Sequence, residues 1–285
     1  MRTIGIVNEK GGVGKTTTTA QLGRALTALG KNTMAVDMDG QANLSEILLA
    51  GQAEDGRVDP EMSVFDLLTQ EDVGVFDVIR RSEAYGYAVV PSNGDLKTWW
   101  FNTIYGERGD ADDLRRPVLR SALSDFEEEV REVSGQEIDF CLIDAPPSFG
   151  PQLLQVLMAS DELLIPVQLE EMSVQGVFSF TRTIKELTKR EMAKSKLLGI
   201  VPVMVDARKR SRTPEMVAEI EKYFHEAVVP EEARIPISSE LEKSADGLTV
   251  AKSSNRAVRA YRKLGEWVVA QESPAEETEP VAGEA

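Results

Sequence analysis

The sequence contains one cysteine, Cys141, and one histidine, His225. A single cysteine excludes a disulfide framework within the chain and any zinc or iron–sulfur site built from paired thiolates. A chain without disulfides is compatible with a reducing compartment, so we expect a cytoplasmic protein. His225 falls near the end of an expected helix, and we interpret it as a surface or packing residue.

Long apolar segments are also missing. No stretch of about 18 uninterrupted apolar residues occurs, so the sequence predicts no membrane-spanning helix. Residues 1–12 reach glycine and charge too early to be typical of a secretory signal sequence. The remaining composition, with 42% hydrophobic and 28% charged residues in 285, indicates a globular protein with a sizeable core.

Basic residues are the minority, with 32 against 48 acidic ones and a formal net charge of −16. Such a charge by itself disfavours a nucleic-acid partner. The charges are segregated, however: residues 182–212 hold ten basic and three acidic residues, and 252–263 hold five basic and no acidic ones. Residues 272–285 hold five glutamates and no basic residue. The C-terminal half can therefore present a basic surface.

Short apolar segments alternate with amphipathic ones along the chain. Strands are expected at 3–7, 33–39, 87–91, 139–147, 162–167 and 197–205. Helices are expected from the first glycine-rich loop to Leu29, and at 114–133, 174–192, 214–224 and 255–270. Strand, helix and strand within about 35 residues form a βαβ unit with parallel strands. The repeated order predicts an α/β fold with a single doubly wound, mostly parallel sheet flanked by helices.

Polar segments interrupt this order and end it. Residues 51–60 and 106–113 are rich in glycine and charge, and we interpret them as loop insertions. The stretch 272–285 has too little apolar content to form a core, so we expect an acidic disordered tail there. The sequence thus predicts one domain over 1–271, followed by the tail.

A glycine-rich loop lies between the first expected strand and the first expected helix. Its glycines let backbone N–H groups turn inward around a polyphosphate, and the following helix adds the positive end of its dipole. Lys15 is expected to contact the β- and γ-phosphates, Thr16 to bind Mg²⁺, and Thr17 to contact the α-phosphate. The nucleotide-binding residues predicted within the loop are Gly11, Gly12, Val13, Gly14, Lys15, Thr16 and Thr17. A glycine-rich turn without a ligand is the alternative, which the Lys-Thr pair at this offset disfavours.

Aspartates follow two of the expected strands. Asp37 and Asp39 lie at the end of the second strand, and Asp144 ends the strand that begins at Asp139. The carboxyl ends of parallel strands are where open α/β sheets bind ligands, so these carboxylates are candidates for the magnesium site. For Asp39 or Asp144 taken alone, a capping carboxylate at a strand end is the alternative.

Three segments occur in a fixed order: KGGVGKTTTT, VDMDGQANLS and DFCLIDAPPSFGP. Together they resemble the deviant Walker A ATPases of the ParA/Soj (MinD-like) class, over roughly residues 1–50 and 138–270. The resemblance implies a P-loop NTPase fold and a slow ATPase that uses ATP and Mg²⁺. It also implies a nucleoid-associated role in plasmid partition or chromosome segregation.

The resemblance implies roles for single residues. Lys10 is similar to the signature lysine, which crosses the interface of an ATP-dependent homodimer to the partner's nucleotide. Asp39 is similar to the residue that orients the attacking water, and Asp144 to the acid that holds Mg²⁺. Asp37 is expected to support the magnesium shell. The expected catalytic residues are Lys10, Lys15, Asp39 and Asp144, and the expected metal-binding residues are Thr16, Asp37, Asp39 and Asp144.

The chain departs from the family pattern at two places. Gly40 stands where the family commonly has proline, which should loosen the loop after Asp39. The arginine that often follows a late Ile-Pro and contacts DNA is missing, since Pro236 is followed by residues ISSE. DNA contacts are therefore expected elsewhere, on Arg208, Lys209 and Arg210 in a loop and on Arg256, Arg259 and Lys263, which share a helix face. A merely solvated basic surface is the alternative.

The expected partners are non-specific DNA, bound in an ATP-dependent and salt-sensitive way, and a DNA-bound adaptor of the ParB type that stimulates hydrolysis. No membrane partner is expected. Four alternatives remain open: a related ATPase that positions another cargo, a MinD-like membrane-associated ATPase, a small-molecule kinase or amide-forming ligase, and a non-enzymatic binding module that would release no phosphate. The terminal glutamates disfavour the second, because anionic lipid would repel them. ATP-driven dimerisation would separate the partition ATPase from the third.

Overall fold

A computed structural model describes residues 1–52, 60–99, 116–206, 212–224, 227–244 and 250–271. The strands in these ranges are β1 (Arg2–Ile6), β2 (Thr33–Asp37), β3 (Arg80–Arg81), β4 (Ala88–Val90), β5 (Phe140–Asp144), β6 (Glu162–Gln168) and β7 (Lys196–Val203). The α-helices are α1 (Lys15–Ala28), α2 (Asn43–Leu49), α3 (Val64–Thr69), α4 (Val75–Val78), α5 (Val118–Ser134), α6 (Pro151–Ala159), α7 (Glu171–Lys189), α8 (Arg212–Phe224), α9 (Ser239–Lys243) and α10 (Arg256–Ala270). Short 3₁₀ turns lie at Ala50–Gln52, Gly94–Lys97 and Glu231–Ala233.

The strands form one sheet in the order β3-β4-β2-β5-β1-β6-β7. All neighbouring pairs are parallel except β3 and β4 at one edge. Every residue of the central strands β1 and β5 is buried, as expected for parallel strands covered on both faces. The prediction of a doubly wound, mostly parallel sheet is confirmed.

Side chains on the two faces of the sheet belong to two hydrophobic cores. Val36, Cys141 and Ile143 pack on one face, together with residues of α5, α6 and α7. Ile4 and Leu142 pack on the other face, with residues of α1, α2 and α10. Burial raises the pKa of the Cys141 thiol, so this cysteine stays protonated and packs as an apolar residue.

The C-terminal helix α10 packs on α1, the helix that follows the glycine-rich loop. The buried hydroxyls of Thr18 and Tyr261 lie 3.1 Å apart. Arg2 forms a buried ion pair with Glu162 and donates to the Val268 carbonyl oxygen at 2.9 Å, which fixes the end of α10 to the sheet. The basic residues of α10 are therefore held on a rigid element.

Some expected boundaries differ from the structure. The helix expected at 114–133 begins at Val118, because Pro117 disfavours helical backbone in the residue before it. The helix expected at 174–192 covers Glu171–Lys189 and is followed by Glu191 at φ 58°, a left-handed conformation. The short elements β3, α2, α3, α4, α6 and α9 were not predicted.

Several predictions fall on residues that the structure does not describe. Most of 51–60, all of 106–113, His225 and the tail 272–285 lie outside the described ranges. The division into a domain over 1–271 and an acidic tail therefore stays a prediction.

Candidate active site

The carboxyl ends of β1, β5 and β2 meet at one edge of the sheet. β5 lies between the other two strands, and the register pairs Asp144 with Ile6 of β1 and with Asp37 of β2. The glycine-rich loop leaves β1 directly after Ile6. The loop and both strand-end carboxylates therefore lie together, as the sequence predicted.

The backbone of the glycine-rich loop has the conformation that its sequence favours. Gly12 and Gly14 both have φ of 75°, a left-handed conformation in which a Cβ atom would be strained. Val13 is buried between them and anchors the loop, whereas Gly11 and Gly12 are exposed. The loop thus combines a fixed centre with accessible backbone.

Helix α1 begins at Lys15 without a side-chain cap. Its N-cap residue, Gly14, makes no side-chain hydrogen bond to the first N–H groups, and no acidic residue lies in the first turn, where Thr16 and Thr17 are half-buried. The first N–H groups of a helix need an acceptor, and the positive end of the helix dipole favours an anion. The start of α1 therefore fits a phosphate group.

Lys15 is buried beneath the loop, with 7% of its side chain exposed. Its Nζ lies 3.4 Å from the carbonyl oxygen of Lys10. Burial lowers the pKa of Lys15, and the nearby carboxylates of Asp144 and Asp39 act in the opposite direction. A buried ammonium group with such a long hydrogen bond fits an anionic ligand.

Asp144 is fully buried, and its two carboxylate oxygens differ. Oδ1 accepts a hydrogen bond from Thr19 Oγ1 at 3.3 Å, and the Thr16 side chain also bonds to the carboxylate. Oδ2 has no hydrogen-bond partner among the described residues. Burial, and secondarily the Asp37 charge, raise the pKa of Asp144. A buried carboxylate oxygen without a donor, beside a threonine hydroxyl, is a set of hard oxygen ligands that fits Mg²⁺.

Asp37 holds the loop that follows β2. Its Oδ1 accepts from the Asp39 backbone N–H at 3.1 Å. Its Oδ2 accepts from the backbone N–H and the hydroxyl of Ser45, at 2.9 and 2.8 Å. Burial raises the pKa of Asp37 to about 7, although these hydrogen bonds act in the opposite direction. The geometry shows that Asp37 fixes the start of α2, and its magnesium role stays a prediction.

Asp39 lies at the rim of the site and is half-buried. Its Oδ1 accepts a hydrogen bond from the Gln41 backbone N–H at 2.9 Å, and its carbonyl oxygen accepts from Ala42 N–H at 2.8 Å. Ala42 itself has φ of 57°, so the turn contains a strained residue. The role of Asp39 in orienting water stays a prediction.

Gly40 packs closely against the 3₁₀ turn Gly94–Lys97. A Cβ atom on Gly40 would lie 2.7 Å from Lys97 Cγ and 3.0 Å from the Lys97 backbone nitrogen. The sequence suggested that glycine loosens this loop. The structure instead shows that glycine allows the loop to approach a neighbouring backbone, which explains why proline is absent here.

The connection between β6 and α7 contacts the glycine-rich loop through residues that sequence reasoning missed. Gln168 Nε2 lies 3.4 Å from the Gly12 carbonyl oxygen. Glu170 Oε2 lies 3.2 Å from Nζ of Lys10. The available signal was the order of the chain, because polar residues at the end of a strand beside β1 are expected near the loop.

The basic residues predicted to contact DNA are only partly described. Arg256, Arg259 and Lys263 line one cleft of about 800 Å³, as their spacing predicts. The same cleft contains glutamates, and Lys263 Nζ lies 2.7 Å from Oε2 of Glu266. The cleft therefore has mixed charge. Arg208, Lys209 and Arg210 lie outside the described residues.

Comparison with known proteins extends these observations. Residues 1–198 match the family described as AAA domain. The chain is 30% identical to the sporulation initiation inhibitor protein Soj of Bacillus subtilis, over 94% of this chain and 98% of the relative. It is also 30% identical to the chromosome-partitioning ATPase Soj of Treponema pallidum, over 95% and 98%.

The chain belongs to the Soj/ParA family of partition ATPases. The fold resembles that of cobyrinic acid a,c-diamide synthase from Mycobacterium smegmatis with bound ATP analogue and magnesium, at TM-score 0.73 and 28% identity, covering 93% of each chain. It also resembles the cell division ATPase MinD of Pyrococcus furiosus, at TM-score 0.69 and 25% identity, over 94% of this chain and 98% of the other.

The family and these structures confirm three predictions from the sequence. The fold is that of P-loop NTPases, the chain is an ATPase, and ATP and Mg²⁺ are its cofactors. No helix among the described residues is long and apolar enough to cross a membrane.

Proposed function

We propose that this member of the Soj/ParA family is a DNA-partition ATPase that works as a switch. In this proposal, two ATP-bound chains form a sandwich dimer that holds DNA without sequence preference at the nucleoid. A DNA-bound adaptor of the ParB type stimulates hydrolysis, and the dimer then releases the DNA.

The observation that carries the proposal is Oδ2 of buried Asp144, which has no hydrogen-bond partner among the described residues and lies near buried Lys15. With the uncapped start of α1, these groups can hold a triphosphate and its metal on one chain. Thr16 and Asp144 would hold Mg²⁺, and the ion would supply positive charge that neutralises phosphate oxygens. Lys15 would supply a second positive charge, and the amides of the loop would orient the phosphate groups.

Hydrolysis is expected to be slow. The site residues described above include no arginine to stabilise the charge that develops on the transferred phosphoryl group. Asp39, at the rim of the site, is proposed to orient the attacking water. An adaptor that supplies or repositions a group at this rim would then stimulate turnover.

The exposed Lys10 is proposed to reach the nucleotide of a second chain. Its side chain lies on the open side of the loop, with 42% exposure, whereas Lys15 lies beneath it. Dimerisation would also double the set of basic residues on α10, and clustered positive charge is sufficient for phosphate contacts without base readout.

Co-sedimentation with DNA tests the proposal. Non-specific DNA should retain the protein with ATP but not with ADP or without nucleotide, and retention should fall as salt is raised. Absence of retention under every condition would argue for a relative that positions another cargo, or for a different reaction.

The Asp39→Ala variant tests the hydrolytic role. It should still form ATP-dependent dimers, because Lys10, Lys15 and the loop are intact, while turnover falls by about 10²- to 10⁴-fold. Phosphate release and sedimentation velocity measure the two properties. Normal turnover in this variant would show that another group orients the water.

An amide-forming or phosphorylating enzyme is the second candidate. The 28% identity to cobyrinic acid a,c-diamide synthase favours it, and such an enzyme would bind a small-molecule substrate. A MinD-like membrane ATPase is a further alternative. Dimerisation driven by ATP alone would support the partition ATPase, whereas turnover only with a small acid or with anionic lipid would support one of the others.

A further inference from the structure

The end of β6 and the residues after it contact the glycine-rich loop at alternate positions. The Pro166 carbonyl oxygen accepts from Asn8 Nδ2 at 2.7 Å, and Gln168 Nε2 lies 3.4 Å from the Gly12 carbonyl oxygen. Glu170 continues this series by its ion pair with Lys10. After β6 the chain turns, with the Glu170 backbone N–H donating to the Gln168 carbonyl oxygen at 2.8 Å, and these three contacts join the segment to the loop.

Both side chains of the ion pair between Lys10 and Glu170 are exposed to solvent. The Lys10 side chain is 42% exposed and the Glu170 side chain 60% exposed, and their charged atoms lie 3.2 Å apart. Exposed pairs of this kind are weak and screened by salt. The pair can therefore restrain the lysine and still break when a stronger partner becomes available.

Two anions compete for the Lys10 ammonium group if the proposed function is correct. One is the carboxylate of Glu170 in the same chain, and the other is the triphosphate held by a second chain. A lysine that extends across an interface has to leave the carboxylate of its own chain. We propose that Glu170 is a positioning residue that retains Lys10 on its own chain and so opposes ATP-dependent pairing. This inference rests on the proposed function of Lys10.

The position of Glu170 also stabilises its carboxylate in the state in which Lys10 no longer pairs with it. Glu170 directly precedes α7 and occupies its N-cap position. A carboxylate near a helix start is stabilised by the positive end of the dipole. When Lys10 leaves, Glu170 therefore remains beside the positive end of the helix dipole, and the free energy needed to separate the two side chains stays small.

The Glu170→Gln variant tests the inference in the full chain, because it removes the charge and keeps the size of the side chain. An exposed pair changes an equilibrium by about 1.4- to 5-fold, and a symmetric dimer breaks two of them. The variant should therefore dimerise about 2- to 30-fold more tightly. Sedimentation equilibrium with Mg²⁺ and a slowly hydrolysed ATP analogue measures the dimer dissociation constant.

Glu128→Gln is the matched control, because it removes the same charge from an exposed position on α5. It should leave the dissociation constant unchanged. The advantage of Glu170→Gln over the wild type should also shrink between about 0.1 M and about 1 M salt, as the pair is screened. A purely structural role for Glu170 would not produce this salt dependence.

Lys10→Ala in the same assay separates this inference from the proposed function. If the wild type pairs with the analogue and Lys10→Ala does not, the proposed function stands. In that case an equal or weaker affinity in Glu170→Gln overturns the inference alone. If wild type, Glu170→Gln and Glu128→Gln all remain single chains with the analogue, both the inference and the proposed dimer are wrong.

Discussion

Lys10 and Lys15 show how two residues of one type in one loop acquire different properties. Lys15 is buried, and burial lowers its pKa, which two carboxylates oppose. Lys10 lies at the surface and pairs with Glu170. Position relative to the loop therefore separates a lysine suited to a phosphate within the chain from one that can reach outward.

Replacement of Lys15 by alanine should weaken ATP binding by about 10- to 100-fold, because the variant loses the binding free energy of charge-assisted hydrogen bonds from one ammonium group. Titration with a fluorescent ATP analogue measures the affinity. Lys189→Ala, at an exposed position near the end of α7, is the control and should bind normally. Undiminished affinity in Lys15→Ala would contradict the assignment of this lysine to the phosphates.

At the scale of secondary-structure elements, contacts between the loop after β2 and the turn Gly94–Lys97 determine where Asp39 lies. Asp37 anchors the loop through Ser45, and the Ser45 hydroxyl in turn accepts from the Ser92 backbone N–H at 2.8 Å. Gly40 then packs against Lys97. The position of Asp39 is therefore set by β2, α2 and the segment after β4 together.

Gly40→Ala should destabilise the protein by about 1–3 kcal/mol, because the new methyl group would lie 2.7 Å from Lys97 Cγ and 3.0 Å from the Lys97 backbone nitrogen. Urea unfolding measures the change, and hydrolysis should fall as Asp39 moves. Gly51→Ala is the matched control, since a Cβ atom there has no neighbour within 4 Å in the part of the chain that the structure describes. Equal free energies of unfolding for the two variants would show that the turn Gly94–Lys97 can move to accommodate the methyl group without loss of stability.

At the scale of the whole molecule, the net charge of −16 and the proposed DNA binding are reconciled only by local distribution. The cleft on α10 contains Arg256, Arg259 and Lys263, but Glu231 and Glu232 also line it. A mixed cleft of this kind supports weak, salt-sensitive phosphate contacts. Two copies in a dimer are expected to bind more tightly than one.

The triple variant Arg256→Ala, Arg259→Ala and Lys263→Ala should weaken ATP-dependent DNA binding uniformly across DNA sequences. The slope of log affinity against log salt should decrease by about one for each phosphate contact that is lost. Arg120→Ala with Arg131→Ala, on α5, is the control. An unchanged slope in the triple variant would move the DNA contacts away from α10.

The local sequence was sufficient to predict the phosphate loop and the sheet. Glycines at left-handed positions, Lys15 and the helix that follows are adjacent in the chain, so their pattern predicts their geometry. The strands are apolar runs of parallel βαβ units, which brought Asp37 and Asp144 to one edge as predicted. Short elements such as β3 and α4 were missed, because two to four residues carry no readable period.

Contacts between distant segments were decided by the tertiary structure alone. The pairing of Lys10 with Glu170, the packing of Gly40 on Lys97 and the glutamates in the cleft of α10 join residues far apart in the chain. No local pattern encodes such contacts, since they depend on strand order and on the path of each loop. The sequence by itself determined which chemistry the loop can perform, and the fold decided which residues restrain it.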